Sequence, residues 1–86
     1  MPCLSQFFGI YIYMYYNDHA PPHFHAEYNG LEATFLIGTL EMWSGELPRR
    51  ARALVLEWAS LRRASLNADW ERAREGLPLE DIEPLD

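Results

Sequence analysis

The chain has 86 residues, is 49% hydrophobic with three Trp, five Tyr and four Phe, and carries a formal net charge of −6. That length predicts one domain with a small core, hiding roughly 60 to 65% of the surface that the unfolded chain exposes; the aromatic content offsets chain entropy without disulfides or an obligatory metal. A lone Cys3 excludes an internal disulfide, no apolar run approaches the ~20 residues that span a bilayer, and residues 1 to 15 carry no basic signal-peptide start, so a cytosolic protein without a membrane role is the simplest reading.

In chain order, residues 7 to 16, FFGIYIYMYY, alternate strictly, with Ile10, Ile12 and Met14 pointing one way and Tyr11, Tyr13 and Tyr15 the other. Alternation of this kind is the periodicity of a strand. Asn17 to Pro22 is a polar, proline-bearing connection, after which His23 to Tyr28 sets Phe24, Ala26 and Tyr28 against His23, His25 and Glu27. Asn29-Gly30 predicts a type I′ hairpin turn, which needs positive φ at both central residues. The register follows: Tyr28 faces Leu31, Glu27 faces Glu32, Ala26 faces Ala33, His25 faces Thr34, Phe24 faces Phe35 and His23 faces Leu36. A slip by one residue would bury the histidines against polar partners. A second tight turn at Gly38-Thr39 would set Leu40 beside Ile37, Glu41 beside Leu36, Met42 beside Phe35 and Trp43 beside Thr34.

From Pro48 the period changes. Ala51, Leu54, Val55, Trp58 and Leu61 follow amphipathic-helix spacing, with Pro48 suited to the first helical position. Asn67 suits an N-cap for a second short helix carrying Trp70 and Ala73 and ended by Gly76 and Pro78, with a kink in one long helix as the alternative. The expected architecture is α+β: a four-stranded antiparallel meander over about residues 7–44, one or two helices over about 48–75 on its apolar face, and an extended arm over 77–86 bearing Leu79, Ile82 and Leu85. Tyr11, Tyr13 and Tyr15 can stack nucleobases on an open sheet. The competing expectation is half-burial under the arm or a homodimer partner, since so large an aromatic patch is seldom left bare.

All three histidines, His19, His23 and His25, lie in the stretch NDHAPPHFHAEYNG beside two prolines. Residues two apart on a strand project to one face about 6.6 Å apart, so His23 and His25 can converge on one ion, with His19 or Asp18 closing the site and Glu27 next along the face. A divalent ion such as Zn, Ni or Mn is one use of this face, and metal-free acid/base or hydrogen-bonding chemistry by the same histidines is another. Structural capping of the loop by Asp18 and His19 is a third. The predicted opposition of Glu27 and Glu32 adds a separate clue, because like charges directly opposed on a sheet are destabilising and call for a cation, a shared proton, a protonated His25 or splaying into water.

No Lys or Arg precedes Arg49, and all seven basic residues are Arg, lying between Arg49 and Arg74. Polyanion binding needs a basic surface, so any RNA contact falls to that segment, where ion pairs with Glu46, Glu57 and Glu75 compete for the same arginines. No glycine-rich phosphate loop, Cys-rich zinc motif or Ser-His-Asp signature is present.

The start M-P-x-L-S-x-F-x-G-I, the N-D-H-x-P-P-H-F-H-A-E-Y-x-G stretch at 17 to 30, G-x-L-P-x-R-A at 45 to 51 and L-E-W-A at 56 to 59 resemble the small bacterial family catalogued as domain of unknown function 4160. Asn17, Asp18, His19, Pro22, His23, His25 and Glu27 match its signature residue by residue. The resemblance implies a small protein partner encoded nearby, a member of domain of unknown function 2442, in an arrangement like a toxin-antitoxin pair. For a toxin, RNA cleavage would use His25 or His23 as general base and the other as acid, with His19 beside them and arginines holding phosphate. A divalent-metal-binding domain and a non-catalytic interaction module are the alternatives; the acidic N-terminal half counts against RNA.

Overall fold

A computed structural model describes residues 3–16 and 18–86. Met1, Pro2 and Asn17, which belong to the opening motif and the histidine-rich stretch, lie outside the described residues. Five strands, β1 (Cys3–Phe7), β2 (Ile10–Tyr13), β3 (His23–Tyr28), β4 (Leu31–Leu36) and β5 (Met42–Gly45), precede two helices, α1 (Arg49–Leu61) and α2 (Arg63–Arg74). The strands form one antiparallel sheet in sequence order. The class is α+β as expected, but the sheet has five strands rather than four.

The extra strand comes from a turn hidden inside the alternating run 7 to 16. Phe8 (φ 50) and Gly9 (φ 79) both take positive φ, so the chain reverses and Phe7 pairs with Ile10. Paired residues of a hairpin share a face, and both Phe7 and Ile10 are buried, so the reversal leaves the hydrophobic alternation intact. An aromatic residue in the left-handed region is uncommon, which is why FFG does not announce a turn as Asn29-Gly30 does. That second hairpin has φ 50 and 83 at its centre and the expected register from Tyr28↔Leu31 to His23↔Leu36.

The connection from β4 to β5 departs from the expected two-residue turn. The Leu36 N–H donates to the Glu41 carbonyl (2.9 Å), the Leu40 N–H donates to the Leu36 carbonyl (2.9 Å), and Leu40 has φ 62, so the loop takes residues 37 to 40. Ile37 does not pair with Leu40; it is buried, and its N–H donates to the Pro22 carbonyl at 3.1 Å. Met42 faces Phe35 as expected, but a bulge between Thr34 and Phe35 brings Ser44, not Trp43, opposite Thr34. Beyond the bulge Gly45 has φ +81, and a Cβ there would lie 2.2 Å from the Glu32 carbonyl oxygen. Gly45→Ala is therefore expected to cost about 2 to 3 kcal/mol through backbone strain and loss of the β4–β5 edge; a urea midpoint unchanged from wild type would contradict that close approach.

Ile10, Ile12, Phe24 and Phe35 from the sheet, with Met14 just after β2, meet Ala51, Val55 and Trp58 of α1 in the core. Trp58 packs on Phe7 (ring centroids 5.4 Å) and Phe24 (5.9 Å). Leu54 is only half-buried, and Leu61, the last residue of α1, is exposed. The break between the helices falls at Arg62 (φ −119), whose N–H donates to the Trp58 and Ala59 carbonyls. Asn67, expected as an N-cap, instead lies exposed within α2, whose Leu66, Trp70 and Ala73 are buried.

The C-terminal arm is pinned to the core side of the sheet. Ile82 N–H donates to the Leu4 carbonyl (2.8 Å) and Trp58 Nε1–H to the Glu83 carbonyl (2.8 Å). The fully buried Asp69 accepts at Oδ1 from the Arg72 guanidinium (2.7 Å) and the Glu80 N–H (2.9 Å). The arm therefore does not cover Tyr11, Tyr13 and Tyr15, which are half-buried on the opposite face, Tyr11 stacked on Tyr13 and Tyr15 set edge-on to His25 at 4.4 Å. Among the described residues, no helix is long and apolar enough to cross a membrane.

Candidate metal centre

The pleat of β3 puts His23 and His25 on one face, and the loop before it delivers Asp18 to them. Asp18 is held from its own loop, where the His19 backbone N–H donates to Oδ1 at 2.8 Å. Its other oxygen, Oδ2, lies 2.8 Å from His23 Nε2 and 3.5 Å from His25 Nε2. One donor atom from each of Asp18, His23 and His25 lies within 4.8 Å of those of the other two. Metal–ligand bonds of about 2.0–2.1 Å place neighbouring donors roughly 2.8 Å apart in octahedral and roughly 3.4 Å apart in tetrahedral coordination; the contacts of 2.8 and 3.5 Å bracket that range, so small shifts of the three side chains would suit either geometry.

The far side of each imidazole is also engaged. His23 is buried, and its Nδ1 lies 2.7 Å from the Pro21 carbonyl oxygen. A carbonyl can only accept, so Nδ1 carries a proton and donates. Nε2 then faces the Asp18 carboxylate. If Nε2 bears no proton, two lone pairs meet at 2.8 Å, which is repulsive unless a positive species lies between them. A proton there makes His23 an imidazolium; a divalent ion makes it a neutral ligand with its tautomer fixed by Pro21. His25 repeats the pattern less tightly, with Nδ1 3.3 Å from Thr34 Oγ1 and 3.4 Å from Glu32 Oε2, leaving Nε2 toward Asp18. A carboxylate or carbonyl behind each imidazole is the usual outer shell of metal-ligating histidines.

Of the five candidate residues, Asp18, His23 and His25 converge. His19 is exposed and borders the cavity in front of them, and among the described residues its ring makes no hydrogen bond to the group. Glu27 stands outside the cluster, opposite Glu32 in the β3–β4 register. Glu32 turns to His25, which relieves that opposition on one side. Trp43, expected beside Thr34, does lie on the histidine face, its ring 5.4 Å from that of His23; sequence reasoning missed Trp70, whose ring lies 5.1 Å from that of His23, and Ser44, which the β5 bulge brings opposite Thr34. The Arg49–Arg74 segment contributes no side chain to the cavity lining, formed by Asp18, His19, His23, His25, Thr34, Trp43 and Ser44.

Burial alone would raise the Asp18 carboxyl pKa, but the His19 N–H, the hydrogen bond and charge of His23 and the hydrogen bond of His25 together outweigh it, so the group sits below the ordinary carboxylate value. Burial, followed by the negative charges of Glu32, Asp18 and Glu27, pushes the Tyr15 phenol up. A carboxyl depressed in the folded state contributes stability above its unfolded pKa of about 3.9 and loses it as pH falls through the folded value. Asp18→Asn should therefore lose less stability than wild type between about pH 5 and about pH 2, and thermal melts across that range check it. Equal acid limbs would mean that Asp18 is not held by these donors.

A family model described as a domain of unknown function (DUF4160) matches residues 9–71, which include Asp18, His23 and His25. No curated protein and no solved structure matches the chain.

Proposed function

We propose, for a chain that belongs to the domain of unknown function 4160 family, a divalent-metal-binding function centred on Asp18, His23 and His25. The observation that carries it is the 2.8 Å approach of His23 Nε2 to the Asp18 carboxylate while Nδ1 is committed to Pro21. Two nitrogens and one carboxylate oxygen suit first-row divalent ions such as Zn, Ni or Mn, and the Irving–Williams order gives Ni and Zn the tighter binding and Mn the weaker.

RNA cleavage by the same histidines is less well supported. A nuclease needs cations at the scissile phosphate; here Asp18 and Glu32 stand beside the imidazoles, and no arginine is among the lining residues. The expectation of a small protein partner in a toxin-antitoxin-like pair rests on the family resemblance.

Metal analysis of protein purified without a histidine tag, followed by melting with and without chelator, tests the proposal. An ion at about 100 times its Kd stabilises by about 2.7 kcal/mol, which in a chain of this size raises the Tm by on the order of 10 °C. No bound metal, and no stabilisation by added Zn, Ni or Mn, would sink it.

A further inference from the structure

Three protein donors do not complete the shell of a divalent first-row ion, which takes four to six ligands. The remaining positions open onto a cavity of about 350 Å³, within the range of small-molecule sites. Its composition restricts what fits. The charge of a dication less that of Asp18 leaves one positive charge if both imidazoles are neutral. A bound monoanion brings the centre to neutrality, whereas a dianion would be left with excess charge beside Glu32 and Glu27.

The cavity also has one flat apolar wall. The β5 bulge aims Trp43 at the site, where its ring meets His23 edge-on at 5.4 Å and 65° while the residue remains 51% exposed. A bulge beside a site commonly re-aims a side chain in this way, and an indole half-exposed over a polar centre is a surface for stacking. Ser44 and His19, also among the lining residues, supply a hydroxyl and an imidazole.

Resting on the metal centre proposed above, we infer that this cavity binds a planar, monoanionic, bidentate oxygen ligand, with two oxygens on neighbouring open positions of the ion and an attached aromatic ring against Trp43. Ligands of this class are aromatic α-oxo carboxylates and hydroxamate-like chelators.

Calorimetry on Zn-loaded protein with benzohydroxamate and acetohydroxamate tests this, because the two share the chelating group and differ in the ring. Benzohydroxamate should bind about tenfold more tightly. The metal-free protein should bind neither. Once Zn-loaded, Trp43→Ala should bind both hydroxamates alike, and Trp43→Phe should retain most of the preference. The Zn titration that precedes each run separates two failures. Without Zn binding, the metal centre and this inference both fall. With Zn bound, no hydroxamate binding, or a preference that survives Trp43→Ala, overturns the inference alone.

Discussion

Replacing Trp58 with alanine is expected to cost about 3 to 5 kcal/mol, a large part of the roughly 4 to 13 kcal/mol that a chain of this length has in total. Trp58 is fully buried, fills the space between Phe7 and Phe24, and donates its indole N–H to the Glu83 carbonyl. Its loss opens a cavity at the junction of sheet, α1 and arm and leaves the Glu83 carbonyl without that partner. Trp58→Phe separates these contributions, since it keeps most of the packing and loses the hydrogen bond at about 1 kcal/mol. Urea unfolding of the two variants gives both values. A Trp58→Ala midpoint close to that of wild type would show that the core does not depend on this junction.

The second large effect concerns the metal. In the proposed metal centre, Asp18→Ala or His25→Ala would remove one of three protein donors, and each is expected to lower Zn affinity by at least about 100-fold, since loss of an outer-shell partner alone typically costs 10- to 100-fold. Glu32→Gln should fall in that outer-shell range, because Glu32 contacts His25 at Nδ1, on the side of the ring away from Asp18. His23→Ala is a less clean probe, its ring being buried against Trp70 and Trp43. Calorimetric titration ranks the set; a Glu32→Gln variant weaker than Asp18→Ala would contradict these assignments.

The hairpin from His23 to Leu36 was legible because Asn29-Gly30 states its turn type and every pair then follows by counting. That same count placed His23 and His25 on one face and Glu27 against Glu32, both as observed. The five-stranded sheet was not legible, since Phe8 adopts a positive φ that its residue type does not advertise, and a reversal between Phe7 and Ile10 keeps the buried alternation unbroken. Trp43 was misplaced for a related reason: a bulge shifts register without any marker except Gly45, whose need for close approach shows only against the β4 backbone. The helix break at Arg62 has neither glycine nor proline to signal it. In the site, spacing nominated Asp18, His19, His23, His25 and Glu27 together. Only the loop path decides that Asp18 reaches the imidazoles while the His19 ring stays at the rim.

The most direct measurement is long-range 1H–15N NMR of the histidine side chains with and without saturating Zn. His23 and His25 should keep Nδ1 protonated throughout, and their Nε2 resonances should move to values of metal-bound nitrogen when Zn is added. A His23 ring protonated at both nitrogens and unmoved by saturating Zn would contradict the metal centre and identify the positive species between His23 and Asp18 as a proton.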